Sequence, residues 1–244
     1  MSDAKTTQKT PLSEIRGLAR ETVVNHPYAP VVVTLLYFAM QFTMFVCSGF
    51  FAISNALWAQ ILYKVLGFFM NVMMGLFVMG RTRYFTLLCE EKSPAIMNLF
   101  FGFRKKPDRV LLAACIFEGI YLITTLPAYI YSYFYPLSMD DWYHTSIAFA
   151  MLFAGYAIGF FCTLPFVMLY YVLGDFVNMP LGKAIRFSLW LMKGNYLRFI
   201  GLILSLLPFE ILGWISLGIG FVWISPLLQS AYAHFYLDLV KQKQ

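Results

Sequence analysis

A succession of apolar runs restricts the fold of this chain more than any other feature. Crossing the hydrocarbon core of a bilayer takes about 20 predominantly apolar residues in a helix. Runs of that order occupy about 29–53, 57–80, 110–134, 146–173, 198–213 and 218–236. None alternates with period two, and backbone polar groups in lipid must be satisfied within the segment, so the runs predict helices. The last two are short and joined by GWISLGIG (213–220). They read as a hairpin, with a partly re-entrant pair as the alternative. Charged residues make up 12% of the chain, where a soluble domain carries roughly 25%. That leaves too little polar surface for a water-soluble globule. The expected fold class is all-α: a polytopic membrane protein of about six transmembrane helices. Residues 1–28 form an N-terminal segment with an amphipathic helix, 29–236 a single transmembrane domain and 237–244 a short tail. The polar N-terminal stretch is too long for the charged region of a signal peptide, so an uncleaved protein is expected.

The formal net charge is +6, and its distribution argues against nucleic acid as a partner. Arg81, Arg83, Lys92, Arg104, Lys105, Lys106 and Arg109 cluster in segment 81–109, against Glu90, Glu91 and Asp108. Segment 174–198 holds Lys183, Arg186, Lys193 and Arg198 against Asp175. The connections on the other side are poor in cations: 54–56 has no charge, and 135–145 has only Asp140 and Asp141. The positive-inside rule therefore predicts that both basic segments and both termini are cytoplasmic. Tyrosines and phenylalanines in YIYSYFYP (129–136), with Trp142, fit an interfacial belt on the opposite side. Cys47, Cys89, Cys115 and Cys162 have neither CxxC nor metal-ligand spacing and read as packing residues.

GKAIRFSLWLMKGNYLRF (182–199) interrupts the apolar sequence with four basic residues and no acidic one. Ile185, Leu189 and Met192 fall on one helical face, while Lys183, Arg186, Trp190 and Lys193 line another. The pattern predicts an interfacial helix over about 180–194, its cations meeting anionic headgroups at about 1 kcal/mol per basic residue. A docking surface for a partner protein is the alternative. Asn178 can cap this helix with Pro180 in its first turn, and Gly194 can supply a left-handed residue at its end. IRGLARETVVNHPYAPVVVTLL (15–36) aligns with IRFSLWLMKGNYLRFIGLILSL (185–206) at a constant offset. SPAIMNLFFGFRKK (93–106), with an interfacial helix over about 93–103 and the cations Arg104, Lys105 and Lys106, is a weaker third instance. This suggests three units, each an interfacial helix followed by a transmembrane hairpin. Basic amphipathic segments also precede spans in multi-span proteins without any repeat.

Ionisable residues inside spans are the default functional candidates. Here they are Lys64, Glu118 and Glu210. Lys64 can snorkel toward the outer end of its span, and Glu210 lies close to the turn at Gly213. Glu118 is nine residues beyond Arg109, about 13 Å along a helix, and is the best single candidate. Pairing of Lys64 with Glu118 or Glu210 would be structural; a proton or substrate site is the sharper reading. Gly155 and Gly159 form a GxxxG pair that permits close helix approach within or between chains. Pro127, Pro165 and Pro226 lie within apolar runs, where neighbouring helices can re-satisfy the freed backbone. Enzyme motifs are missing from the sequence. There is no HExxH, and His26, His144 and His234 are scattered. VCSGF (46–50) has Val46 where an intramembrane serine protease needs glycine. YVLGDF (171–176) has Val172 in the corresponding place of the aspartyl type. No catalysis, cofactor or metal is expected.

The C-terminal third carries a family resemblance. Asp175 and Pro180, Ser188 with Leu191 to Asn195, Leu204-Ser205 with Gly213-Trp214, Gly218 to Trp223, and Pro226 with Ala233 to Tyr236 follow one another in order. This order resembles the bacterial membrane family known as domain of unknown function 975, found mostly in Gram-positive Firmicutes. The chain departs from the pattern at Pro208, Phe209 and Glu210 and at Leu227. The resemblance implies a multi-span protein of a bacterial plasma membrane and transfers no catalytic residue. The expected function is that of a non-enzymatic accessory or regulatory component. It would act through anionic lipids, a membrane-protein partner or a homo-oligomer. The alternative is a small transporter, channel or lipid-handling protein with a polar site near Glu118.

Overall fold

The computed structural model describes residues 9–49, 57–135 and 141–243, and every regular element among them is helical. The chain runs α1 (Leu12–Asn25), α2 (Ala29–Gly49), α3 (Leu57–Cys89), a 3-10 turn (Ile96–Phe100) leading into α4 (Phe101–Arg104), then α5 (Pro107–Phe134) and α6 (Trp142–Thr163). A second 3-10 turn (Leu164–Phe166), α7 (Leu169–Asp175), α8 (Leu181–Met192), α9 (Tyr196–Ile215) and α10 (Phe221–Lys243) complete it. A short helical element precedes a pair of long helices three times: α1, the Ile96–Arg104 stretch and α8. The expected connection 54–56, and Asp140 in the next one, lie outside the described residues.

Five segments are long and apolar enough to cross a membrane: Ala29–Cys47, Ile61–Cys89, Pro107–Phe134, Trp142–Asp175 and Tyr196–Ile215. Only 22–28% of one apolar 18-residue stretch in each is buried within the protein, so their outward faces are apolar and suited to lipid rather than water. The expected sixth, α10, has 23 residues and the length to span, but it falls short in apolarity. Much of it is enclosed by α1, α2, α3 and α9 and buries Ser225, Ser230 and Asp238. An enclosed helix needs no all-apolar surface.

Two helices outrun their apolar runs. α3 continues to Cys89 because Arg81 lies over the Tyr37 ring, 3.8 Å from its centroid, and Arg83 pairs with Asp175. Compensated in this way, neither charge ends the helix. α10 continues to Lys243, packed along α1. The run 146–173 is broken by the 3-10 turn at Pro165, whose carbonyl accepts the Ser188 hydroxyl at 3.2 Å. The last pair is a helical hairpin. Gly218 N–H bonds the Gly213 carbonyl and Leu217 N–H that of Trp214, both at 3.0 Å, with Leu217 left-handed at φ 55°. These are the two bonds of a Schellman turn.

α8 fits less simply. Its buried stripe is Ala184, Ser188, Leu191 and Met192, packed toward α7 and α10; Ile185 and Leu189 are only half-buried. The helix therefore packs on the protein one register away from the face read from the apolar residues alone, because small Ala184 and Ser188 admit the closer neighbour. Asn178 does not cap it: Pro180 holds the N-cap with no side-chain bond. The end is as expected. Lys193 (φ −57°, ψ 116°) and Gly194 (φ 83°) form a type II turn closed by Asn195 N–H to the Met192 carbonyl at 2.9 Å, which calls for glycine at its third position.

Candidate functional site

Two helices, α3 and α5, bring two of the three intramembrane candidates, Lys64 and Glu118, to one cavity. α3 carries Lys64 and Asn71, seven residues apart and so on one side about two turns from each other. Near the middle of α5, Glu118 accepts a hydrogen bond from the Asn71 amide at 3.3 Å. Two adjoining cavities meet there, of about 420 and 410 Å³, sharing Tyr63, Gly67, Asn71 and Glu118 as lining. The first extends between α2, α3, α5 and α7 past Gln41, Phe117 and Tyr170 to Tyr37, the ring on which Arg81 rests. The second extends toward α6 past Tyr121, Thr125 and Tyr156 to Lys64 and Tyr129. Beyond those two residues lies an apolar groove of about 510 Å³, formed by Ile61, Val65, Phe149 and Leu152.

Lys64 and Glu118 line the second cavity together yet form no ion pair. The lysine ammonium lies instead over Tyr129, 3.5 Å from the ring centroid, and 5.6 Å from that of Tyr63. Side chains on a helix lean toward its N-terminus. Lys64 therefore leans toward the start of α3 and Glu118 toward the start of α5, at opposite ends of these antiparallel helices. Glu210 is not brought to the site. It sits half-buried on α9, its charge acting on Tyr232 of α10. Neither anticipated lysine–glutamate pair forms.

Gly155 and Gly159 act within the chain. A Cβ on Gly155 would lie 2.6 Å from the Thr124 carbonyl oxygen, and one on Gly159 would lie 2.7 Å from the Tyr121 ring. Their absence lets α6 lie directly on α5 and sets one wall of the cavity. Lys183, Arg186, Lys193, Arg104, Lys105 and Lys106 are all exposed.

Sequence reading missed the uncharged members of the site. Gln41 and Asn71 are, with Gln60, the amides of the first two apolar runs, and a search for all polar residues rather than ionisable ones would have found them. It also missed two buried ionic networks. Asp175 accepts from Arg83 and, at 2.7 Å, from the Tyr236 hydroxyl, with Tyr236 stacked on Tyr171. Asp238 pairs with Arg198 at 2.6 Å and accepts from Thr10 at 2.5 Å and Gln242 at 2.6 Å. Arg198 also donates to the Thr10 carbonyl, tying the N-terminal segment to α9 and α10. Among the described residues, no group of three or more histidine, cysteine, aspartate or glutamate side chains is placed to hold a metal.

Apolar helices of spanning length around a polar interior define an all-α polytopic membrane protein. Within that class the chain belongs to the family described as Protein of unknown function (DUF975), whose model matches residues 9–243. No curated protein and no solved structure matches it.

Proposed function

We propose that this is a non-enzymatic ligand-handling membrane protein, a small transporter, channel or lipid-handling protein whose site is the cavity around Glu118. The observation that carries the reading is a carboxylate near the middle of a membrane-crossing helix, lining cavities of about 420 and 410 Å³. Those sizes lie within the range of small-molecule sites, roughly 300–1,000 Å³. A polar residue in lipid is costly unless it faces a solvated or occupied interior, and this one does. Lys64 and Tyr129 stand where the polar cavity adjoins the apolar groove, a natural entry for an amphiphile from the membrane. The charge distribution supports cytoplasmic termini, and the family resemblance a bacterial plasma membrane.

The test is water access. Asn71→Cys, in a chain with Cys47, Cys89, Cys115 and Cys162 replaced by serine, is expected to react with a charged, membrane-impermeant thiol reagent in intact vesicles. Inertness in the folded protein alongside reaction after denaturation refutes the cavity reading.

A second reading has its own support. The six exposed cations Lys183, Arg186, Lys193, Arg104, Lys105 and Lys106 flank the short helical elements. They suit contact with anionic headgroups or an acidic partner, as an accessory or regulatory subunit would make. Charge-reversing three of them is expected to weaken co-sedimentation with anionic, but not zwitterionic, vesicles. Unchanged sedimentation counts against it.

A further inference from the structure

We infer that the ligand held at Glu118 is an organic cation: an ammonium bearing apolar substituents. The inference rests on the cavity reading above and adds the chemistry of the ligand. Among the described residues, Glu118 is the only acidic side chain lining either cavity, and its one hydrogen-bond partner is Asn71. The only cation among the described residues lining the same space, Lys64, lies over Tyr129 about two turns away along α3. The negative charge is thus left without a counter-cation from the protein. An anionic ligand would face this carboxylate directly. A neutral ligand without a hydrogen-bond donor would displace water from it and offer nothing in return, and one with a donor would leave the charge itself unmatched.

The walls then decide which kind of cation. A divalent metal ion wants six or more oxygen ligands, whereas this space offers one carboxylate and a few amides and hydroxyls. Aromatic faces are what it offers in quantity: Tyr63, Phe117, Tyr121, Tyr156 and Tyr170 border the two lobes. Ring faces attract ammonium groups and prefer them desolvated, which favours alkylated ammonium over a strongly hydrated inorganic ion. The protein already displays this contact once, where the Lys64 ammonium rests on Tyr129. The ligand ammonium occupies the equivalent position at the other end of the cavity, with the carboxylate added. Its apolar substituents extend along the aromatic lobes.

The experiment is calorimetric titration of the purified full chain in mild detergent with three probes of matched size. These are benzyltrimethylammonium, its neutral carbon isostere neopentylbenzene, and benzenesulfonate. The expected result is saturable binding of the cation at one site per chain. The neutral and anionic probes should bind at least about tenfold more weakly, the worth of one charge-assisted contact. Glu118→Gln is expected to remove that preference, and Lys64→Gln to leave or strengthen it. Gly67 lines both lobes, and a Cβ there meets nothing within 4 Å, so Gly67→Phe is expected to fill the space and abolish binding. Equal binding of all three probes, abolished by Gly67→Phe, overturns the cation inference and leaves the cavity reading standing. Cation binding indifferent to Glu118→Gln also overturns the inference. No saturable binding of any probe, or binding indifferent to Gly67→Phe, overturns both.

Discussion

The position of the Ile96–Arg104 stretch on α3 sets where α5 begins, and with it the depth of Glu118, so replacing Gly80 is a direct test of the architecture. A Cβ built on Gly80 would fall 1.8 Å from the carbonyl oxygen of Leu99 and 2.4 Å from its carbon. The reciprocal contact is similar: a Cβ on Gly102 would lie 2.4 Å from the Leu76 carbonyl oxygen. Both obstacles are backbone, which cannot swing aside as a side-chain tip can. Overpacking in a core costs about 1–3 kcal/mol. With backbone on both sides of the contact, Gly80→Ala belongs at the upper end, about 2–3 kcal/mol. A soluble domain of comparable length loses about 2–4 °C in Tm per kcal/mol, so a fall of about 4–12 °C is expected. The assay is thermal unfolding in detergent, followed by static light scattering or a thiol-reactive dye. Gly67→Ala and Gly119→Ala are the controls, since a Cβ at either meets nothing within 4 Å. Alanine there gains helix propensity of up to about 1 kcal/mol. If Gly80→Ala melts with these controls, the close approach of the two backbones is wrong, and with it the placement of α5.

The ionic networks predict smaller losses of different character. Asp175→Asn leaves Arg83 without its counter-charge and is expected to cost about 1–3 kcal/mol, reduced by the 21% exposure of both side chains. Tyr236→Phe keeps the stack on Tyr171 and removes one donor to Asp175, for about 1 kcal/mol. Since both act on one carboxylate, the double variant should unfold less far below wild type than the two single shifts added. Gly194→Ala forces a left-handed alanine at φ 83° and should cost about 1–2 kcal/mol, with Gly194→Asn less damaging, read by the same melts. Arg198→Ala releases both Asp238 and the Thr10 carbonyl. It is expected to expose the first residues to limited proteolysis while α5 and α6 remain protected. Equal protection in wild type and variant would count against that tether.

Helical class and the existence of the long helices were legible because apolar run length is a one-dimensional signal. Boundaries were less so. The apolar runs stop at Arg81 and near Tyr236, but the helices continue, since a charge ends an apolar run without ending a helix that has a partner for it. Arg83 finds Asp175 at a separation of 92 residues, and Arg198 finds Asp238; spacing along the chain does not encode either meeting. The type II turn at Gly194 was legible because glycine is locally required. The α8 face was not, because Ala184 and Ser188 are buried for being small, which a search for large apolar residues passes over. At the site, Glu118 and Lys64 stood out as charges in lipid, while Asn71 and the tyrosine walls did not, each being ordinary alone.

The three intramembrane ionisable residues are not equivalent. At the basic end of the molecule the carboxylates are thoroughly matched: Asp175 accepts from Arg83 and Tyr236, and Asp238 is ion-paired with Arg198 and accepts from Thr10. The same chain that builds those networks leaves Glu118 with one amide, although Lys64 lines the same cavity. A direct pair would have neutralised both charges, but each side chain leans toward the start of its own helix and the two are held apart. Glu210 is also unpaired among the described residues, but it lies five residues from the end of α9 and outside the cavities, where water at the turn can reach it. Among the described residues, only at Glu118 does an unmatched charge coincide with an aromatic-lined cavity. That coincidence, rather than the carboxylate alone, separates a site from a tolerated charge, because the desolvation cost of the carboxylate is offset either by a proton or by a cation that enters the cavity to meet it.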